Sequence, residues 1–173
     1  MLKPIAAAVG AALVVAALAG ASPARDTYKL TAGLKARFEV PTPQGVPAGA
    51  TGAFTGTAVE LENDRARLTW RLTFSKLSGK ATAAHIHAGK LGKAGRVLVA
   101  LCGPCRSGQR GNTSMTDAQL GSIRAGRTYV NVHTAKNAPG EIRGQVKSTK
   151  TASSGDGPPP PTTPEPPPPP PYP

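Results

Sequence analysis

Negative charge is scarce in this chain. Its 173 residues hold 9 Asp and Glu against 21 Lys and Arg, a formal net charge of +12. Two of the nine acids, Asp156 and Glu165, stand among the prolines of the C-terminal end, which leaves seven for everything before it. That is little for the paired-carboxylate chemistry of glycoside hydrolysis. Aromatic side chains are as few, with 3 Phe, 3 Tyr and 1 Trp. They are not interleaved with the basic residues, as a base-stacking nucleic-acid platform requires. Cysteine is limited to Cys102 and Cys105, so no thiol near the N-terminus supports a lipid anchor. No Ser-His-Asp spacing and no phosphate loop stands out, and no catalytic residue is assigned. No repeat is long enough to imply a solenoid.

What is present divides the chain in three. Residues 1–24 combine a basic Lys3 with an apolar run from Ile5 to Ala19 and small residues after it. That order is the pattern of a secretory signal peptide, with Ala19-Gly20-Ala21 or Ser22-Pro23-Ala24 as cleavage candidates. The run approaches spanning length, but it is built of Ala and Gly rather than Leu, which disfavours a retained anchor. Residues 148–173 pass from Lys-Ser-Thr-Lys through Gly-Asp-Gly to mostly proline. Such a tail buries no apolar surface and is expected to be disordered, its prolines forming an extended polyproline II rod. Residues 25–147 remain as one domain, large enough for a core. The expected location is secreted, extracellular or periplasmic, with no membrane span after signal cleavage.

The positive charge sits on that domain. A basic exported domain suits anionic partners such as a cell-surface polymer, or another extracellular protein. Cys-Gly-Pro-Cys is also a thioredoxin-type tetrapeptide. Here it follows a strand-like Arg96–Leu101 and precedes a loop, not the helix that would lower a thiol pKa. In an exported protein, Cys102 and Cys105 are expected to close a local disulfide.

Strand patterns dominate the domain. In Arg65–Phe74, Leu68, Trp70, Leu72 and Phe74 alternate with Arg and Thr, so one face is apolar and the other polar. Trp70 reads as a core anchor. Strands are also expected at Tyr28–Glu39, Phe54–Glu62, around His85 and His87, and at Arg96–Leu101, Arg127–Thr134 and Glu141–Lys147. One short helix, Asp117–Ile123, follows a capping box at Thr116 and Gln119. Seven to eight strands with turn signals between them make an all-β, antiparallel sandwich or Greek-key barrel.

All three histidines fall in two short β-like runs, Ala84-His85-Ile86-His87-Ala88-Gly89 and Tyr129-Val130-Asn131-Val132-His133-Thr134. Period-2 alternation puts His85 and His87 on one face, and Tyr129, Asn131 and His133 on one face. A third run, Glu141-Ile142-Arg143-Gly144-Gln145-Val146, sets Glu141, Arg143 and Gln145 opposite Ile142 and Val146. A polar layer over Val and Ile is the expected candidate site.

These runs, together with Pro139-Gly140 ahead of Glu141, resemble the CHRD domain, a module first defined in chordin and common in exported bacterial proteins. The resemblance spans roughly Tyr28 to Val146. The family usually has Gly-Gly before the Glu where this chain has Pro139-Gly140. What the resemblance implies is an extracellular β domain without established catalytic residues.

Two arrangements of the histidines fit the sequence. In one, His85, His87 and His133 hydrogen-bond to neighbours such as Asn131 and Glu141 in a structural layer, no cofactor is needed, and the domain is a non-enzymatic binding or scaffolding module. In the other they bind copper or zinc, both of which accept imidazole. The His-x-His pair is similar to the copper ligands of copper-zinc superoxide dismutase, and a dismutase-like activity is the alternative function. The dismutase's fourth copper histidine has no counterpart here, and Arg143 would repel a cation unless it pairs with Glu141.

Overall fold

The structure, a computed structural model, describes residues 25–151. The expected signal segment and the proline-rich part of the tail lie outside the described residues. Nine strands form a single sheet: β1 (Thr27–Lys35), β2 (Thr51–Glu60), β3 (Arg65–Ser75), β4 (Ala81–Ala88), β5 (Val97–Cys102), β6 (Arg110–Thr116), β7 (Thr128–Thr134), β8 (Ile142–Gln145) and β9 (Lys147–Thr151). Their order is β5-β4-β7-β8-β1-β2-β3-β6, all antiparallel, with β9 beside β8 on the same edge of β1. The sheet curls into a nearly closed barrel, as the alternation predicts. Among the described residues no helix is long and apolar enough to cross a membrane.

The barrel interior is the apolar side of each alternation. Leu30, Leu34, Phe54, Leu68, Leu72, Ile86, Val130 and Ile142 are fully buried in it. Each such side chain contributes about 1.5–3 kcal/mol by leaving water. Trp70 is buried there too, and its Nε1 donates to Thr113 Oγ1 at 3.1 Å. Its register partner Gly111 has to be small, because a Cβ there would stand 2.5 Å from the indole. The one helix, α1 (Asp117–Arg124), has the expected Thr116–Gln119 capping box and turns Leu120 and Ile123 into the core.

Three expectations need correction. Residues 106–112 were expected as a loop, but 110–112 open β6, an almost wholly polar strand held by its seven register positions against β3. The domain does not stop at residue 147. Lys147–Thr151 pairs with Thr27–Thr31 of β1, so the folded region runs four residues into the expected tail. The first strand ends at Lys35, and Ala36–Phe38 form a single 3-10 turn that leads the chain over the barrel's outside.

Register fixes what shares a face, since paired residues in a sheet point the same way. His85 pairs with Asn131, Asn131 with Arg143, and Arg143 with Lys35. Lys35 is exposed on the outer surface. The polar layer is therefore the outer face of β4, β7 and β8, with Val130, Val132 and Ile142 on the inner face. Every residue of β7 is nonetheless buried. Two loops make it so: the chain around Glu39–Gln44, and residues 89–95, lie over the layer.

Candidate metal centre

Strand β4 supplies His85 and His87, two residues apart on one face, and β7 supplies His133 from the adjacent strand. One ring nitrogen of each lies within 4.8 Å of the others. His85 Nδ1 and His133 Nε2 are 3.0 Å apart. Ring centroids are separated by 4.9 Å for His85–His133, 5.5 Å for His85–His87 and 5.9 Å for His87–His133. His85 is half-buried, and His87 and His133 are buried.

The remaining nitrogens are anchored on the main chain. His87 Nδ1 is 2.9 Å from the Gly95 carbonyl oxygen, and His133 Nδ1 is 2.8 Å from that of Ala138. A carbonyl only accepts, so both Nδ1 atoms carry the proton and both Nε2 atoms carry a lone pair. His87 Nε2 is buried and has no hydrogen-bond partner. Burial pushes His85 down to about 4, and the neighbouring His133 and His87 push the same way. Burial also lowers His87 and His133, against the opposing pull of their carbonyl partners. All three rings are neutral around pH 7.

The residues expected around the histidines divide into two groups. Tyr129, Arg143 and Gln145 hold the 89–95 loop down. Tyr129 stacks on His87 with centroids 5.0 Å apart and planes 11° apart, and its hydroxyl accepts from Gly95 N–H. Arg143 lies 3.4 Å over the Tyr129 ring and donates to the carbonyls of Lys90 and Lys93. Gln145 donates to the Gly89 and Gly126 carbonyls. Asn131 donates to the Pro139 carbonyl.

Glu141 belongs elsewhere. It stands just ahead of β8 and accepts from the Ser78 N–H and hydroxyl, the Thr134 hydroxyl and Asn137 Nδ2. Burial would raise its pKa, but those hydrogen bonds outweigh it and hold the carboxyl below its ordinary value. It ties the loop between β3 and β4 to the turn between β7 and β8, and touches neither the histidines nor Arg143. Of the partners expected for the histidines, Glu141 bonds to none, and Asn131 acts only on His87, as a side-chain contact that pulls its pKa up against burial. The rings use main-chain carbonyls and each other instead.

One residue of the layer was not singled out from the sequence. Glu39 is buried, its Oε1 lacks a partner, and burial raises its pKa to about 7 against the nearby Arg143 charge. It reaches the layer from the loop after β1, and no local pattern announces it. Gly140 makes room for it: at φ +144° it adopts a conformation that suits glycine, and a Cβ would collide with Glu39 Oε1 and stand 2.7 Å from Asn131 Nδ2. The departure to Pro139 leaves this corner intact, because Pro139 is used through its carbonyl.

Cys102 and Cys105 lie at disulfide distance, with Cα atoms 5.3 Å apart. They sit where β5 runs into a loop and not at a helix N-terminus, so the redox-site context is lacking. Among known proteins, residues 30–146 match the family model described as CHRD domain. No curated protein and no solved structure matches the chain.

Proposed function

The chain belongs to the CHRD domain family, and we propose that its domain is a metal-binding module that holds one copper ion through His85, His87 and His133. The observation behind this reading is the buried, unpartnered Nε2 of His87 beside the Nε2 of His133 and Nδ1 of His85. An unsatisfied buried nitrogen costs about 1–3 kcal/mol, which a bound ion would offset. Other polar atoms of the layer, among them Asn131 Oδ1 and Gln145 Oε1, are also unpartnered, so the convergence of three ring nitrogens within 4.8 Å is what supports an ion here. The carbonyls of Gly95 and Ala138 act as the outer partners that fix tautomer and ring direction in metal-binding histidines. The lowered histidine pKa values favour the neutral ligand form.

The donor set fits a late first-row ion. Two nitrogens about 2.0–2.1 Å from an ion and 3.0 Å apart subtend an angle of roughly 95°. Copper outranks zinc for nitrogen donors in general affinity order. Half-exposed His85 leaves the site open on one side, so a small molecule has access. A buried arginine is nearby, and no carboxylate is among the donors, which disfavours the hard cations calcium and magnesium. Export would put the site where copper and a Cys102–Cys105 disulfide coexist.

Titration of purified protein with copper and with zinc, followed by isothermal calorimetry, tests the proposal. One equivalent of copper should bind, with zinc weaker, and His87→Gln should lose the site. Binding no tighter than that of an exposed histidine, or full retention in His87→Gln, would end the metal reading and return the domain to a scaffolding role.

A further inference from the structure

A second surface lies on the same outer face, where no loop covers it. The outward positions of β1, β2, β3, β6 and β9 carry lysine, arginine and threonine. Register sets them in rows. One row runs Lys147, Thr31, Thr55, Arg71, Arg110, and the next runs Thr149, Lys29, Thr57, Thr69, Asn112. A third continues through Val59, Arg67 and Ser114. Lys29, Lys147, Arg67, Arg71 and Arg110 are all exposed.

No outward position on these five strands is Asp or Glu. The only acid in them, Glu60, pairs with buried Ala66 and so lies on the other face. The ion pairs among the described residues, Arg25–Glu62, Arg124–Glu60 and Lys150–Asp26, involve none of the five cations. Their charge is therefore uncompensated within the domain. A shallow open groove of about 520 Å³ crosses the rows, lined by Lys29, Thr55, Thr57, Thr69, Arg71 and Arg110.

We infer that this groove binds a linear acidic polysaccharide. Neighbouring strands are about 4.8 Å apart, so Lys29 and Arg71 sit on the order of 10 Å apart across the sheet. Arg67 and Arg71, four residues apart on β3, are spaced roughly 13 Å along it. Fixed cations at that spacing suit an extended chain with charges at intervals, and the threonine hydroxyls between them suit its hydroxyl groups. Nucleic acid fits less well. The aromatic residues of these strands, Tyr28, Phe54, Trp70 and Phe74, occupy inward positions, and Trp70, which underlies the groove, is only 4% exposed, so no ring face is offered for base stacking. A lipid surface fits less well too, because the exposed large apolar residues, Val40, Leu91 and Val97, all lie off these strands and nothing on the face can insert. The inference uses none of the histidines and is independent of the metal reading.

Fluorescence anisotropy with labelled polygalacturonate and labelled dextran sulfate provides the test, against neutral dextran and duplex DNA. The wild-type chain should bind the two acidic polysaccharides, more weakly as salt rises, and ignore neutral dextran. R67Q/R71Q/R110Q should weaken binding about tenfold or more, while K90Q/K93Q/R96Q, with the same change in net charge, should not. Circular dichroism confirms that each variant is folded, and the altered side chains are all exposed. Equal losses in both triple variants would overturn the inference, since net charge alone would then explain binding. So would an absence of binding to either acidic polysaccharide, or binding to duplex DNA as tight as to them.

Discussion

The three histidines lie close enough to act together and are held so that they stay unprotonated. Each folded pKa is below the ordinary 6.5, because burial penalises the charged ring. A group depressed in this way stabilises the fold fully above its unfolded pKa. That contribution is lost as pH falls through the folded value, which for His85 is about 4. Urea denaturation of metal-free protein should therefore show stability falling as pH drops from 6.5 to about 4. The fall should be smaller in His85→Asn. An identical pH dependence in the variant would mean that carboxylates, not this ring, govern acid sensitivity. Arg143 keeps the charge conflict that the sequence suggests, because it does not pair with Glu141 and its charge adds to burial in lowering His87. Its Nη2 donates to the Lys90 and Lys93 carbonyls, with Tyr129 beneath the guanidinium, while its Nε and Nη1 are buried without partners.

At the level of elements, the instructive pair is β8 and β9. They are one run of chain interrupted at Val146, whose N–H turns to the Thr128 carbonyl. Before the break the run pairs with β7, and after it with β1. A strand of Lys, Ser and Thr has no apolar signal, and its place is set by the bare edge of β1. Ending the chain at Val146 should leave Thr27–Thr31 unpaired on the edge away from β2 and cost roughly 3–5 kcal/mol in ladder hydrogen bonds. That is a drop of roughly 10 °C or more in melting temperature. Ending it at Thr151 keeps the ladder and should leave the melting temperature nearly unchanged. Scanning calorimetry of the two truncations measures both. Equal melting temperatures would show that β9 adds nothing to the barrel.

For the molecule as a whole, the proposed metal site would be linked to the fold through β4 and β7, which sit side by side in the barrel wall. An ion bound across them stabilises the native state and has no equivalent site in the unfolded chain. Copper at about 100 times its dissociation constant should add about 2.7 kcal/mol. Thermal denaturation with and without copper should show the shift in wild type and none in His87→Gln. An unchanged wild-type midpoint would mean that copper does not bind the native state in preference to the unfolded chain. The basic groove, on the uncovered part of the outer face, should keep its ligand affinity in that same variant.

Alternation by itself determined the all-β antiparallel class, with sandwich and barrel both open, the core position of Trp70, and the common face of His85 and His87, because period 2 is a local property of an extended chain. The Thr116–Gln119 box determined the start of α1 in the same local way. Strand order was not local. Only the tertiary structure decided that β4 lies beside β7, and so that His133 comes within 3.0 Å of His85. It also decided that the polar layer is covered, since the covering loops approach from the chain after β1 and after β4. Glu39, Gly95 and Ala138 enter the site through a loop, a carbonyl and a turn. None of these has a periodic signature, because a main-chain oxygen is the same in every residue and its direction is fixed only by the packed fold.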